Sequence, residues 1–374
     1  MSEDNILQIQ DLDVKFYTYS GVVEALDRVT IGIREGEILG LVGETGCGKS
    51  VTSLSVMRLV PPPGRVEGGK ILFFRQGNPE DIFKMKENAL RKLRGKDIAM
   101  IFQEPRAYLN PVYTVQNQIG EAIIEHRTPE FLDKAAQELE TKKRGSTFEA
   151  RVYRRQVKNP KSRVERLIGR LSRRRQFGEE IRKEVVRLLK SVEIPDPDRV
   201  AHMYPHELSG GMAQRVVIAM GLACNPKMLI ADEPTTNLDV TVQAQILNLV
   251  RNLRKDLNSS ILYITHDLGV VAQLCDRVAV MYAGNIIEAA DVFELFKKPL
   301  HPYARALLES IPRPGEPFKS IRGIVPSLIN PLKGCRFHDR CSYTMEICLK
   351  VKPPFIQVKK DHYVACHLYG EESK

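Results

Sequence analysis

Ile38-Leu39-Gly40-Leu41-Val42-Gly43-Glu44-Thr45-Gly46-Cys47-Gly48-Lys49-Ser50 decides how the rest of the chain is read. Its first five residues are a continuous apolar run, as in a strand buried on both faces. The next eight satisfy G-x-x-x-x-G-K-[ST], and a helical pattern through Leu54 and Met57 follows them. The glycines at 43, 46 and 48 let successive backbone N–H groups turn inward around phosphate oxygens. The helix start adds the positive end of its dipole. Lys49 is placed to bridge the β- and γ-phosphates of a nucleotide, and the Ser50 hydroxyl to ligate Mg²⁺. A glycine-rich turn that binds nothing would not need strand, loop and helix in this order. Cys47 reads as a small space-filler, although alkylating a thiol there would block the loop.

Outward from this loop, residues 6–40 alternate apolar and polar positions, the mark of strands in an antiparallel sheet. Strand signals return at 228–232, 261–265 and 278–282, with a helical stretch from about 240 to 256. Residues from about 105 to 225 are mainly helical in pattern. Buried strands alternating with helices imply an α/β core with a largely parallel sheet. Ala283-Gly284-Asn285 has the character of a hairpin turn. Residues 311–334, with prolines at 312, 314, 317, 326 and 331, read as a linker or an irregular strap.

Leu229-Ile230-Ala231-Asp232-Glu233 is an apolar strand ending in two carboxylates. Alone, such a pair is usually a solvated turn. Downstream of a phosphate loop it supplies what hydrolysis needs: Asp232 to hold Mg²⁺ and Glu233 to polarise the attacking water. Leu208-Ser209-Gly210-Gly211-Met212-Ala213-Gln214 is a second anion-binding pattern. Ser209 is a good N-cap, and Gly210 and Gly211 leave the first helical N–H groups uncovered. The plain reading is a capped helix. The sharper one is a phosphate site for another nucleotide, since this chain already has a loop of its own.

The 374-residue chain carries a net charge of +10. Residues 140–175 hold fourteen basic and three acidic side chains, so the rest is close to neutral. No apolar run approaches the roughly 18 residues of a membrane span. The start, Met1-Ser2-Glu3-Asp4, lacks the basic and apolar character of a secretory signal. The expectation is a cytosolic protein whose membrane role, if any, comes through others.

The motifs together resemble the ABC ATPase family over roughly residues 6–290. They are the phosphate loop at 43–50, Gln103 in Ile101-Phe102-Gln103-Glu104-Pro105, the signature at 208–214, the acidic strand 229–233, the Asn237-Leu238-Asp239 loop and His266. The resemblance implies an α/β fold: a RecA-like parallel core, an antiparallel β subdomain and a helical subdomain at about 105–225. It also implies two such domains face to face, each ATP held between one loop and the other's signature. Nucleotide contacts would fall to Gly43, Gly46, Cys47, Gly48, Lys49, Ser50, Val51 and Asp239 on one side. Ser209, Gly210, Gly211 and Gln214 would act across the interface. Catalysis would fall to Glu233, His266 and Gln103, and Mg²⁺ to Ser50, Gln103 and Asp232. By spacing, Phe16 is the choice for stacking on adenine, with Tyr17 and Tyr19 as alternatives.

Two segments resemble the dipeptide and oligopeptide importer branch: Tyr204-Pro205-His206-Glu207-Leu208 and His301-Pro302-Tyr303-Ala304-Arg305-Ala306-Leu307-Leu308. Residues 1–300 would then be the nucleotide-binding domain, and 301–374 a small Cys-rich C-terminal extension. Its Cys335, Cys341, Cys348 and Cys366 are similar to a [4Fe–4S] site. Four thiolates can hold zinc or an iron–sulfur cluster, or remain unliganded. The absence of a C-x-x-C pair counts against a zinc ribbon. His338, His362 and His367 are expected to be exposed. The implied partners are two transmembrane permease subunits, a paralogous ATPase or a second copy of this chain, and an extracytoplasmic solute-binding protein. The place is the cytoplasmic face of the membrane.

About fifty residues near 128–178 depart from the family pattern. Arg151-Val152-Tyr153-Arg154-Arg155 and Arg173-Arg174-Arg175 suit a solvated insertion, a lipid-headgroup contact or nucleic acid. They support an alternative, a soluble ATPase acting on nucleic acid or ribosomes. The single ATPase unit and the His301-Pro302-Tyr303 segment oppose it, and no nucleic-acid partner is expected. A non-hydrolysing relative is opposed by the intact Lys49, Glu233 and His266.

Overall fold

The computed structural model describes residues 5–75, 77–142, 163–236, 238–312, 317 and 320–370. They fall into two compact units, one of residues 1–94, 100–103 and 227–374, the other of 95–99 and 104–226.

The first unit opens with a four-stranded antiparallel sheet. It comprises β1 (Asn5–Thr18), β2 (Gly21–Arg34), β4 (Gly64–Arg75) and β5 (Asn78–Asp81), in the order β2-β1-β4-β5. Strict alternation along β1 would bury residues of one parity, yet Leu7 and Ile9 are buried and so are Leu12 and Val14. The register shifts between Ile9 and Leu12, where Asp11 adopts φ 46°. That bulge resets the side-chain phase and keeps both halves facing the core.

The second sheet runs β11-β12-β10-β9-β3-β8-β7-β6. β3 (Ile38–Val42) lies between β8 (Ser260–Thr265) and β9 (Arg277–Tyr282), parallel to both, and β7 (Met228–Asp232) is parallel to β8. All five residues of β3 are buried, as its apolar run requires. β6 (Ile98–Ile101) completes that edge. β10 (Asn285–Asp291) returns antiparallel to β9 through Ala283 and Gly284, at φ 44° and 82°. A Cβ on Gly284 would lie 2.7 Å from the Ala25 carbonyl, so that turn needs glycine. The tail then adds β12 (His362–Val364) against β10, and β11 (Ile356–Lys359) outside it. The sequence reading had no strands there. Their short mixed patterns fall below what periodicity can pick out.

The stretch 311–334 is irregular where it is described. The Glu24 N–H donates to the Leu328 carbonyl at 2.8 Å, and Val23 bridges Ile329, so it lies along β2.

The second unit is helical, with Pro105–Tyr108, Val115–Lys142, Arg163–Ser191, Pro197–His202 and Gly210–Leu222. Ile119, Ile123, Phe131, Val185, Leu189 and Val216 form its core. Arg127 reaches Glu130 and Glu184 at 2.8 and 2.9 Å and donates to the Ala223 carbonyl at 2.7 Å. The Arg151–Arg155 stretch of the basic insertion lies outside the described residues. Arg173, Arg174 and Arg175 belong to the helix Arg163–Ser191.

Candidate functional site

The phosphate loop takes its shape from glycine. At Gly43 φ is 156°, and a Cβ would lie 2.1 Å from the Met281 carbonyl oxygen. At Gly48 φ is 107°, and a Cβ would lie 2.8 Å from the Ala25 carbonyl oxygen. No side chain fits either place. Gly46, at φ 79°, has open space around it. The helix Lys49–Val56 starts without a side-chain cap, so its first N–H groups are left to a ligand. Lys49 is 5% exposed and donates through Nζ to the carbonyls of Gly43 and Glu44, at 2.8 and 3.1 Å. Cys47 is fully buried, with Sγ 4.0 Å from Lys49 Nζ, and burial pushes its thiol up. Ser50 is exposed at the loop's end, followed by the half-buried Val51.

Asp232 closes β7 nearly buried, with Oδ2 3.5 Å from Ser53 Oγ. Burial pushes its carboxyl above the usual range, against hydrogen bonding from Ser50 and the Lys49 charge. Its Oδ1 is buried with no hydrogen-bond partner among the described residues. An orphaned carboxylate oxygen beside the Ser50 hydroxyl is the donor set that Mg²⁺ takes.

Glu233 leaves the strand at φ 45°, with its N–H donating to the Ile264 carbonyl at 2.9 Å. Three groups surround its carboxylate. Gln103 Nε2 donates at 3.2 Å, Thr236 Oγ1 at 3.0 Å, and His266 Nδ1 lies 3.3 Å from Oε1. The structure therefore brings together the three residues assigned to catalysis from separate strand ends. Thr236 was missed, since a threonine three residues past an acid carries no signal of its own.

The other assigned residues are dispersed. Asp239 caps the helix Val240–Leu257, its Oδ1 accepting from the Val242 N–H at 3.0 Å. Asn237 lies outside the described residues. Phe16 is half-buried on β1 beside Gly64, where a Cβ would meet its ring at 2.7 Å. Tyr17 donates to Glu67 at 2.9 Å beneath the Arg65 guanidinium, and Tyr19 is fully exposed. In the helical unit, Ser209 caps Gly210–Leu222, its Oγ accepting from the Met212 N–H at 3.2 Å. Gly210 has open space before it, and Gly211 is half-buried. Gln214 is 1% exposed, and its Nε2 has no partner among the described residues.

In the tail, Cys335, Cys341, Cys348 and Cys366 line one small cavity. Cys341 Sγ accepts from the Tyr343 N–H at 3.4 Å. Burial pushes two of the thiols up, to about 12 for Cys335 and about 11 for Cys366. Among the described residues no group of three or more His, Cys, Asp or Glu stands close enough to hold a single metal ion. The expectation of exposed histidines is corrected. His362 is 2% exposed, with Nε2 2.8 Å from Glu288 Oε1, because β12 carries it under the sheet edge. The His338 side chain is 9% exposed, and His367 Nε2 sits 2.9 Å from the Val351 carbonyl.

Sequence reasoning also missed two residues that contact the phosphate loop from the C-terminal region. Tyr303 Oη accepts from the Glu44 N–H at 3.0 Å, and Arg340 Nη1 reaches the Glu44 carboxylate at 3.0 Å. They lie 259 and 296 residues along the chain from Glu44, beyond any local pattern.

Comparison with known proteins agrees with this geometry. Residues 26–236 match the ABC transporter family, and residues 287–348 match the oligopeptide/dipeptide transporter C-terminal region. The chain is 41% identical to a probable peptide ABC transporter ATP-binding protein of Sinorhizobium fredii, over 97% of this chain and 95% of that one. It is 43% identical to the oligopeptide transport ATP-binding protein of Bacillus subtilis, over 96% of this chain and 87% of that one. In fold it is similar to a dimeric ATP-binding cassette solved with ADP and Pi. The TM-score is 0.56 at 23% identity, covering 76% of this chain and 98% of the other. With its phosphate loop, signature helix and Glu233 cluster on that fold, the chain belongs to the ABC transporter family, as an ATPase of the oligopeptide and dipeptide branch.

Proposed function

We propose that this chain is the ATP-hydrolysing subunit of an importer for peptides or similar small solutes. The convergence of Gln103, Thr236 and His266 on Glu233, beside Asp232, carries the reading. The loop N–H groups and Lys49 bind the β- and γ-phosphates, with Gly43, Gly46, Cys47, Gly48, Ser50 and Val51 shaping the cradle. Ser50, Asp232 and Gln103 are the residues that would hold Mg²⁺, which when bound would supply charge neutralisation to the phosphates. Glu233 takes the proton of the attacking water, and His266 and Gln103 hold Glu233 and that water in line. Phe16 covers the adenine, and Asp239 borders the site. Ser209, Gly210, Gly211 and Gln214 serve the nucleotide of a facing cassette, a second copy or a paralogue. Residues 1–300 form the nucleotide-binding domain, with the basic insertion near 128–178 on its helical part, and 301–374 form the extension.

Each cassette pair works on two transmembrane permease subunits at the cytoplasmic face, supplied by an extracytoplasmic solute-binding protein. No helix among the described residues is long and apolar enough to cross a membrane, which fits a peripheral subunit. Cys335, Cys341, Cys348 and Cys366 would be the ligands of a [4Fe–4S] cluster, whose role would be to tie down the tail. Four cysteines lining one cavity are the ligand number that such a cluster takes. The Cys341 sulfur, accepting the Tyr343 N–H, suits a thiolate ligand.

The test is capture of the tagged chain from detergent-solubilised native membranes. Two multi-span permeases and a second cassette are expected, and ATP hydrolysis by the captured assembly should rise with the cognate solute and its binding protein. Recovery of ribosomal proteins or nucleic acid without a permease would replace this reading.

A further inference from the structure

The phosphate loop is gripped from outside by the C-terminal region. Glu44 follows the loop's first glycine, and both its backbone and its side chain are engaged. The N–H donates to Tyr303 Oη at 3.0 Å, and the carboxylate receives Arg340 Nη1 at 3.0 and 3.3 Å. Neither partner is loosely placed. Tyr303 is fully buried, with the rings of Tyr282 and Phe337 at 4.6 and 5.4 Å. The Arg340 side chain is 5% exposed and lies over Tyr282 and Phe337, at 5.6 and 5.9 Å from the ring centres. Its Nε donates to the Arg322 carbonyl at 2.6 Å, and Nη1 also to Tyr282 Oη at 3.3 Å. Arg340 is thus fixed by the strap and by an aromatic cluster.

A loop with glycines at 43, 46 and 48 has backbone freedom that phosphate binding must remove, at a cost to affinity. Anchoring residue 44 removes part of that freedom beforehand. The carboxylate of Glu44 would also repel a triphosphate, and an enclosed guanidinium neutralises it.

We propose that Arg340 and Tyr303 are positioning residues for nucleotide binding, holding Glu44 and the first half of the phosphate loop in the conformation that accepts ATP. The inference rests on the reading that this loop binds ATP. It makes the Cys-rich extension a strut of the nucleotide site.

The test is the Kd for Mg·ATP of the full chain, read beside kcat at saturating ATP and the melting temperature. Arg340→Ala is expected to raise Kd about tenfold, or about 1.4 kcal/mol, with kcat within about twofold of wild type. Arg340→Lys should recover part of the loss. Tyr303→Phe keeps the ring packing, removes only the acceptor, and should raise Kd about threefold. Glu44→Gln combined with Arg340→Ala should bind no more weakly than Arg340→Ala alone, because both delete one contact. Wild-type Kd in both Arg340→Ala and Tyr303→Phe, even with a lowered melting temperature, overturns the inference. Lys49→Ala separates the two ideas. If it too binds ATP normally, the nucleotide-site reading itself fails; if it alone loses binding, only the positioning role is lost.

Discussion

Glu233 occupies a backbone conformation that costs a non-glycine residue about 1–2 kcal/mol. The turn is kept because it swings the carboxylate off the strand axis to meet Gln103, Thr236 and His266. Glu233→Gln preserves shape and hydrogen bonding to Gln103 but cannot take a proton. It should lower kcat for phosphate release by about 10²–10⁴-fold, while ATP binding stays near wild type. Hydrolysis near the wild-type rate would remove Glu233 from the role of base. His266 is 60% exposed and packs little, so His266→Ala should leave the melting temperature unchanged. Its effect belongs in kcat, with KM little altered.

At the scale of elements, Glu288 joins three pieces of chain. It is fully buried on β10, its two oxygens accepting from the Leu300 and His301 N–H groups at 2.8 and 2.7 Å. His362 of β12 completes the set at 2.8 Å. One side chain thereby satisfies the approach to the helix Pro302–Glu309 and fastens the tail strand. Glu288→Ala would leave two buried N–H groups and a histidine unpartnered, and should destabilise by about 3 kcal/mol in urea unfolding.

The helical unit has a comparable junction at Arg127, and it titrates. The Arg127 hydrogen bond holds the Glu130 carboxyl down at about 2, with Lys134 assisting. A lowered acid contributes stability above its ordinary value near 4.5, and that contribution fades as pH falls from there towards 2. Glu130→Gln should therefore flatten the loss of unfolding free energy between pH 5 and about 3. An unchanged slope would show that Glu130 is not the group responsible.

At the scale of the whole chain, the tail is part of the sheet and the loop, not an appendage. β12 lengthens the main sheet, Arg336 donates to the Ala283 carbonyl at 2.6 Å, and Lys352 meets Asp27 at 2.8 Å. If the four cysteines hold the proposed cluster, Cys341→Ser should strip iron and sulfide, read by elemental analysis and visible absorption, and lower the melting temperature. Iron content unchanged by Cys341→Ser would exclude that residue as a ligand.

The sequence by itself determined the phosphate loop, the signature cap, the acidic strand and the parallel core around them. Each is a local pattern whose chemistry depends on neighbours a few residues away. Gly43, Lys49 and Ser209 could be read because a strand–loop–helix or a capped helix start leaves little choice of backbone. The grouping of Gln103 and His266 with Glu233 came from the family resemblance, since nothing local joins Gln103 to a residue 130 positions away. Tertiary structure alone decided the burial of His362, the strands of the tail and the hold of Tyr303 and Arg340 on Glu44. Those contacts depend on which distant segments pack together, and packing selects partners by shape and charge without leaving a period in the sequence.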